Sequence, residues 1–266
     1  MATLEETFLA LHKPGEPLLL PNPWDLGSAR ILASLGYQAL ATTSSGCAAA
    51  LGRPDGQVTR DEALAHAAAI VAATSLPVSA DLEDCFAREP EGVAETVTLA
   101  AGTGLAGCSV EDYTRDDSDP VYEPKLAAER VAAAAQAAHA HGLVLTARCE
   151  NHLHGRSDLD DTITRLRSYA EAGADVLYAP GVTLADEIQR IVAETDRPVN
   201  VLAMPGVPTV GELAAAGVSR ISTGGALAFA AYGALTEAAV GLRVSGGYEF
   251  QALSAIGRSA TARAFS

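Results

Sequence analysis

The chain is poor in positive charge. Its 18 lysines and arginines face 33 aspartates and glutamates, a net charge of −15. That balance argues against nucleic acid and against anionic membrane surfaces as partners, because both would be repelled. An anionic substrate is still admissible where a metal or an arginine neutralises it locally. Cysteine is scarce as well. Cys47, Cys85, Cys108 and Cys149 form no CxxC pair and their spacing suits no zinc site, so reduced thiols in a cytoplasmic protein are expected. The opening residues, MATLEETFLALHKPGEP, carry acids and no long apolar run, so no signal peptide is expected, and no stretch reads as a membrane span. No GxGxxG follows the first predicted strand, which removes support for a dinucleotide-binding sheet. No low-complexity linker divides the 266 residues, and 48 % of them are hydrophobic, which predicts one domain over 1–266 with a large core.

What the chain does have is alternation. Apolar strand-like runs are expected at Leu18–Leu20, Ala39–Thr43, Pro77–Glu83, Gly107–Val110, Leu143–Arg148, Asp175–Tyr178, Pro198–Leu202 and Arg220–Ser222. A short leading helix is expected at Leu4–Leu11, and each strand is followed by a helical stretch. Thr59 with Glu62 and Thr209 with Glu212 have capping-box spacing, Ser157 or Asp158 caps a helix to Ala172, and Thr183 caps one to about Glu194. Ser44-Ser45-Gly46 reads as a small-residue turn. Eight β-then-α units with short connections imply parallel strands and the size of a (β/α)8 TIM barrel. Residues 232–266 exceed what one barrel helix requires and form a C-terminal helical extension, with apolar groups at Leu235, Val240, Leu242, Phe250, Leu253 and Ile256.

The chemistry gathers around Pro77–Cys85, PVSADLEDC, where an apolar run ends in Asp81, Glu83 and Asp84. Asp81 and Glu83 are two apart, so on a strand both point to one side. Carboxylates that share a face repel each other unless a proton or cation sits between them. A hard divalent cation, Mg²⁺ or Mn²⁺ held largely through water, is the natural choice. In this fold active sites collect at the C-terminal strand ends. Here those ends carry Trp24, Asp25, Ser44–Gly46, Asp81, Glu83, Glu111, Asp112, Arg148 and Glu150. Several acids around one arginine suit an anionic substrate only with a metal present. Arg148 could then fork onto a carboxylate or phosphonate.

These residues resemble the isocitrate lyase and phosphoenolpyruvate mutase superfamily. The matching motifs are Trp24-Asp25 with Ser28-Ala29, Ser45-Gly46, Asp55, Asp81-x-Glu83, Glu111-Asp112, Ala147-Arg148 and Tyr169–Asp175. Together they span about Asn22 to Gly225. The resemblance implies a Mg²⁺-dependent enzyme acting on a small di- or tricarboxylate through a pyruvate-type enolate. By motif, Asp81 would bind the metal directly, while Asp55, Glu83 and Glu111 hold its waters. Ser45, Gly46 and Cys47 would receive the substrate carboxylate. Arg148 would bind its other anionic end, with Trp24 and Glu150 beside it, and Arg148, Glu111 and Ser45 are the catalytic set. In the family the final helix packs on a neighbouring subunit, which implies a homodimer or homotetramer.

The departures narrow the reading. The family's Asp-Ala-Asp-Thr-Gly-Tyr-Gly is here Asp81-Leu82-Glu83-Asp84-Cys85-Phe86-Ala87. The Lys-Lys-Cys-Gly-His motif and the Asn-Ser-Leu loop are both missing, and Ala179 stands at the mutases' histidine. Isocitrate lyase is thereby excluded and a mutase disfavoured. A C–C lyase of the oxaloacetate decarboxylase or substituted-malate kind is expected. P–C chemistry on phosphonopyruvate is the alternative, and a catalytically degenerate acid-binding or structural subunit is the alternative of another class. Tyr113–Pro124, a polar stretch, is expected to be either a lid or an acidic surface loop. Cys85 and Cys149 read as packing residues, and His152 and His154 as exposed.

Overall fold

The computed structural model describes residues 3–116 and 118–266. Its eight strands are β1 Leu18–Leu20, β2 Leu40–Ala41, β3 Val78–Asp81, β4 Gly107–Glu111, β5 Val144–Arg148, β6 Val176–Tyr178, β7 Val199–Leu202 and β8 Arg220–Ser222. All neighbours pair in parallel in the order β1-β8-β7-β6-β5-β4-β3-β2. The remaining seam is bridged by the Ala41 amide, which donates to the Pro21 carbonyl at 3.1 Å. The result is the expected (β/α)8 barrel, nearly closed.

The helices are α1 Leu4–Leu9, α2 Leu26–Ser34, α3 Ser44–Ala50, α4 Arg60–Ala73, α5 Pro90–Ala101, α6 Pro124–Ala140, α7 Leu159–Glu171, α8 Ala185–Glu194, α9 Val210–Ala215, α10 Ala226–Ser245 and α11 Gln251–Ala264, with a 3-10 turn at Asn151–His154. Local chemistry explains their starts. Thr59 with Glu62 and Thr209 with Glu212 form reciprocal capping boxes, and Asp158 caps α7. Asp25 with Ser28 forms another box, so this part of the Trp24-Asp25 motif is the cap of α2. Thr183 is not a cap; Leu184 precedes α8 and makes no side-chain bond. Ser44–Gly46 is not a turn but the first turn of α3, because Thr43 accepts from the Gly46 amide and lets the chain coil at once.

Two apolar layers hold the barrel. One lies between the sheet and the surrounding helices, where the alanines of α6 allow close approach to α5. The other closes the N-terminal end. Phe8 of α1 is fully buried against Leu18, Leu20, Ala39, Val144 and Val176. Gly107 makes room for it, since a Cβ there would meet the Phe8 ring at 3.0 Å and the Val144 carbonyl at 2.7 Å. With that end plugged, the open mouth is at the C-terminal ends of the strands.

The extension differs from the barrel. α10 and α11 leave Phe229, Leu235, Val244, Leu253 and Ile256 exposed, and α11 returns to α2, where Phe265 lies near Gly27. One sequence expectation is corrected here. The 20-residue α10 is long and apolar enough, by length and composition, to cross a membrane. A helix that is apolar on its outward face as well as its inward one scores this way whatever covers it.

Candidate active site

The mouth holds a cavity of about 580 Å³ lined by Ser44, Asp55, Gly56, Glu83, Glu111, Tyr113, Arg115, Arg148, Glu150, Leu153 and His154. At its centre is Arg148, the last residue of β5. Its Nη1 donates to Asp81 at 3.1 Å, its Nη2 pairs with Glu111 at 3.1 Å and its Nε with Glu150 at 2.8 Å. The strand register makes this possible, because Glu111 and Arg148 are directly paired across β4 and β5. Tyr178 stands against the guanidinium, with its ring centre 5.3 Å away. Burial raises Glu111 well above the ordinary carboxylate range although Arg148 opposes the shift. Glu83 is likewise pushed up to about 7, first by burial and then by the charge of Asp81.

The third strand is shorter than its sequence suggests and stops before Glu83. β3 ends at Asp81, and Glu83 has a left-handed φ of 52°. Strand alternation therefore does not place Glu83 beside Asp81. A tight turn does, in which the Glu83 amide donates to Asp81 Oδ1 at 3.3 Å. Cys85 and Phe86 continue the turn with φ of 59° and 55°, so the backbone keeps a shape that suits glycine without having one. Arg130 holds it there. Fully buried on α6, it donates to the carbonyls of Asp84, Ala87 and Arg88 and stacks against Tyr122.

Arg115 was not legible as a site residue. Among the described residues it is the remaining non-glycine with positive φ, at 63°, and its side chain crosses to the strained turn. It pairs with Glu83 at 3.0 Å and Asp84 at 2.8 Å, and donates to the Gly56 carbonyl at 3.1 Å. On its other flank the same loop stacks Tyr113 on His154, with ring centres 4.1 Å apart, and joins Asp119 to Arg156 at 2.8 Å. The stretch after β4 is thus tied to both sides of the mouth and lies across it, in the position of a lid. Asp117, one of its acids, lies outside the described residues. Below it, Asp112 accepts from the Glu150 amide at 2.8 Å and from the Tyr169 hydroxyl at 2.5 Å, which fixes the backbone carrying Glu150.

The predicted residues divide into two groups. Asp55, Glu83, Glu111, Arg148 and Glu150 line the cavity, and Asp81 is joined to it through Arg148 and the Ser44 amide, which donates at 3.1 Å. Trp24, Ser45, Gly46 and Cys47 do not line it. Ser45 turns toward Thr43, with oxygens 3.1 Å apart; Gly46 packs on Trp24; Cys47 is buried. Ser44 takes the position at the cavity wall. Helical phase decides which member of the small-residue run faces the mouth. All four cysteines are free and buried, and the thiols of Cys85 and Cys149 are raised well above normal by burial, which suits packing and not nucleophilic attack. His154 stands in the cavity wall, not in solvent alone.

The donor set fits a hard cation. Every acidic group at the mouth offers oxygen, and Glu83, raised first by burial and then by the charge of Asp81, sits where a cation would favour its ionised form. Among the described residues no three His, Cys, Asp or Glu side chains converge closely enough to ligate an ion together. The fit is therefore to an ion that keeps several waters, with Asp81, Glu83, Glu111 and Asp55 as the residues able to hold it.

Comparison with known proteins agrees with this geometry. Residues 8–243 match the family model for phosphoenolpyruvate phosphomutase. The uncharacterized protein Rv1998c of Mycobacterium tuberculosis is 36 % identical over 82 % of this chain and 81 % of its own length. A crystal structure from Burkholderia cenocepacia J2315, provisionally assigned as a lyase/mutase, superposes with a TM-score of 0.89 at 52 % identity, covering 92 % of this chain and 90 % of that one. 2,3-Dimethylmalate lyase superposes with a TM-score of 0.83 at 26 % identity, covering 94 % and 90 %.

Proposed function

The chain belongs to the phosphoenolpyruvate phosphomutase family, and on that premise we propose that it is a Mg²⁺-dependent lyase that breaks a C–C bond in a small 2-oxo or 2-hydroxy di- or tricarboxylate through an enolate. The observation that carries this reading is Arg148 with its three carboxylates at the barrel mouth. A bound Mg²⁺ would supply positive charge to a developing enolate oxygen. Asp81, Glu83, Glu111 and Asp55 would hold that ion. Arg148 engages Asp81, Glu111 and Glu150 with three of its five N–H donors, so Nη1 and Nη2 each keep one N–H with which to meet a substrate carboxylate. The loop after β4 keeps water from the reacting carbon. Ala179, where a phosphonate would want a cation, favours a substituted malate or oxaloacetate over phosphonopyruvate.

We further propose a homodimer or homotetramer in which a second copy covers the apolar faces of α10 and α11, in a cytoplasmic protein. The test of the site is a thermal shift with Mg²⁺ and oxalate, an enolate mimic, followed by a screen of 2-oxo and 2-hydroxy dicarboxylates for pyruvate or 2-oxo acid release. Stabilisation in the wild type that vanishes in Asp81→Ala, together with turnover, is expected. Absence of both would favour a degenerate, non-catalytic member.

A further inference from the structure

Beneath the catalytic mouth the barrel is not filled with branched apolar side chains. Its interior is lined by Ser79, Ser109, Thr146, Tyr178, Asn200, Arg220 and Ser222, around a cavity of about 60 Å³. Arg220 is 4 % exposed. Its Nε donates to Asn200 Oδ1 at 2.8 Å, and its Nη1 lies 3.3 Å from His12 Nε2. His12 contacts the Phe8 carbonyl through Nδ1 at 3.0 Å, and its pKa falls to about 3, through burial first and Arg220 second. It is therefore a neutral ring whose Nε2 lone pair accepts from Arg220. Both partners of Arg220 are uncharged, and among the described residues no carboxylate stands within ion-pair distance of it. The other charged group that bears on it is Arg148, which is also positive.

The contrast with the other buried arginines is physical. Arg165 has Asp112 and Asp161, Arg148 has three acids, and Arg130 has three carbonyls and an aromatic face. An isolated charge in a low-dielectric interior is costly unless a counter-charge reaches it. A second observation points into the same space. Thr146 Oγ1, on a residue 1 % exposed, has no hydrogen-bond partner, and Thr146 lines the cavity. The remaining polar groups are already engaged: Asn200 Nδ2 donates to Ser222 Oγ at 3.0 Å, and Ser222 bonds Tyr178. Asp81 and Arg148 line the cavity as well, on its side toward the mouth, and are paired with each other at 3.1 Å. The volume admits about two waters, or one ion of halide size.

We propose that this cavity binds one small monovalent anion of halide size, held by Arg220 and the Thr146 hydroxyl. Two waters would satisfy the hydroxyl and leave the guanidinium charge unopposed; an anion meets both. The cavity reaches up to Asp81 and Arg148 of the mouth, but the proposal is independent of the lyase reading because Arg220 and Thr146, which carry it, have no part in that reading.

The test uses the intact protein, with chloride and bromide as probes. Crystals soaked in sodium bromide should show an anomalous peak in the cavity beside Arg220. In solution, sodium chloride should raise Tm by about 3 °C over sodium gluconate at equal ionic strength, with saturation. Thr146→Val should weaken that difference, Thr146→Ser should keep it, and Arg220→Met should remove it. A cavity without a bromide peak at saturating bromide, or equal Tm in the two salts at every concentration, overturns the proposal. The wild-type measurements decide it even where a variant fails to fold.

Discussion

Two arginines stand at different depths of the barrel, Arg148 half-buried at its mouth and Arg220 buried inside it. Arg148 has three carboxylates within 3.1 Å, while Arg220 has an amide and a neutral imidazole. Burial acts on both, but the neighbours decide the outcome: Arg148 is driven well above its ordinary pKa by Glu150, Glu111 and Asp81, and Arg220 is lowered to about 10. The difference teaches that the mouth is a place of excess negative charge with a cation set into it. The interior beneath is a place of positive charge without an answer. A metal suits the first, and an anion the second.

The largest effect expected from breaking this contrast lies in stability. Arg148→Ala strands Asp81, Glu111 and Glu150 as buried acids without a counter-charge and should cost about 3–5 kcal/mol in urea unfolding. Arg220→Met removes a charge that no acid needs, and in gluconate it should cost less than about 1 kcal/mol. Equal losses would erase the distinction between the two sites.

The next effect is in pH. Glu83 is raised from its ordinary value of 4.5 to about 7 in the folded protein. Between those values the native state holds a proton that the unfolded chain has released, so metal-free stability is greater below pH 4.5 on this account and falls as pH rises to 7. The loss is about 2–3 kcal/mol. Asp112, raised to about 6, adds in the same direction. Unfolding followed from pH 4.5 to 8 in EDTA should show a steeper fall for the wild type than for Glu83→Gln. Mg²⁺ should stabilise more as pH rises, since it competes with that proton.

The smallest effect concerns the loop. Arg115→Gln should leave the barrel's stability within about 1 kcal/mol, because the ion pairs it loses are partly exposed. It should raise KM for the identified substrate about tenfold with little change in kcat, since the loop it anchors then spends more time open. Equal kcat and KM for wild type and variant would show that the crossing contact has no part in closure.

Much of this was legible from local signals. The alternation of strands and helices, the capping boxes at Thr59 and Thr209, and the order of Asp81, Glu111 and Arg148 at strand ends are short-range or periodic features, and parallel pairing follows from them. Other features were not. Whether Ser44 or Ser45 faces the mouth depends on where α3 begins, which Thr43 decides by one hydrogen bond. Glu83 was placed correctly near Asp81 for the wrong reason, because a left-handed turn and not a strand carries it. Arg115 looked like one charge in an acidic loop, since its partners Glu83 and Asp84 are about thirty residues away.

By itself, then, the sequence determined the barrel, its family and the acids at its mouth, because each is written in periodicity, caps and strand-end chemistry that neighbouring residues express. Only the tertiary structure decided the charges' company. Arg220 reads as an ordinary strand residue until β8 closes against β7 and β1 and α1 brings His12 beneath it. Burial and the identity of neighbours from distant segments set what a charged group costs and what it can bind, and those are properties of the closed barrel, not of any stretch of the chain.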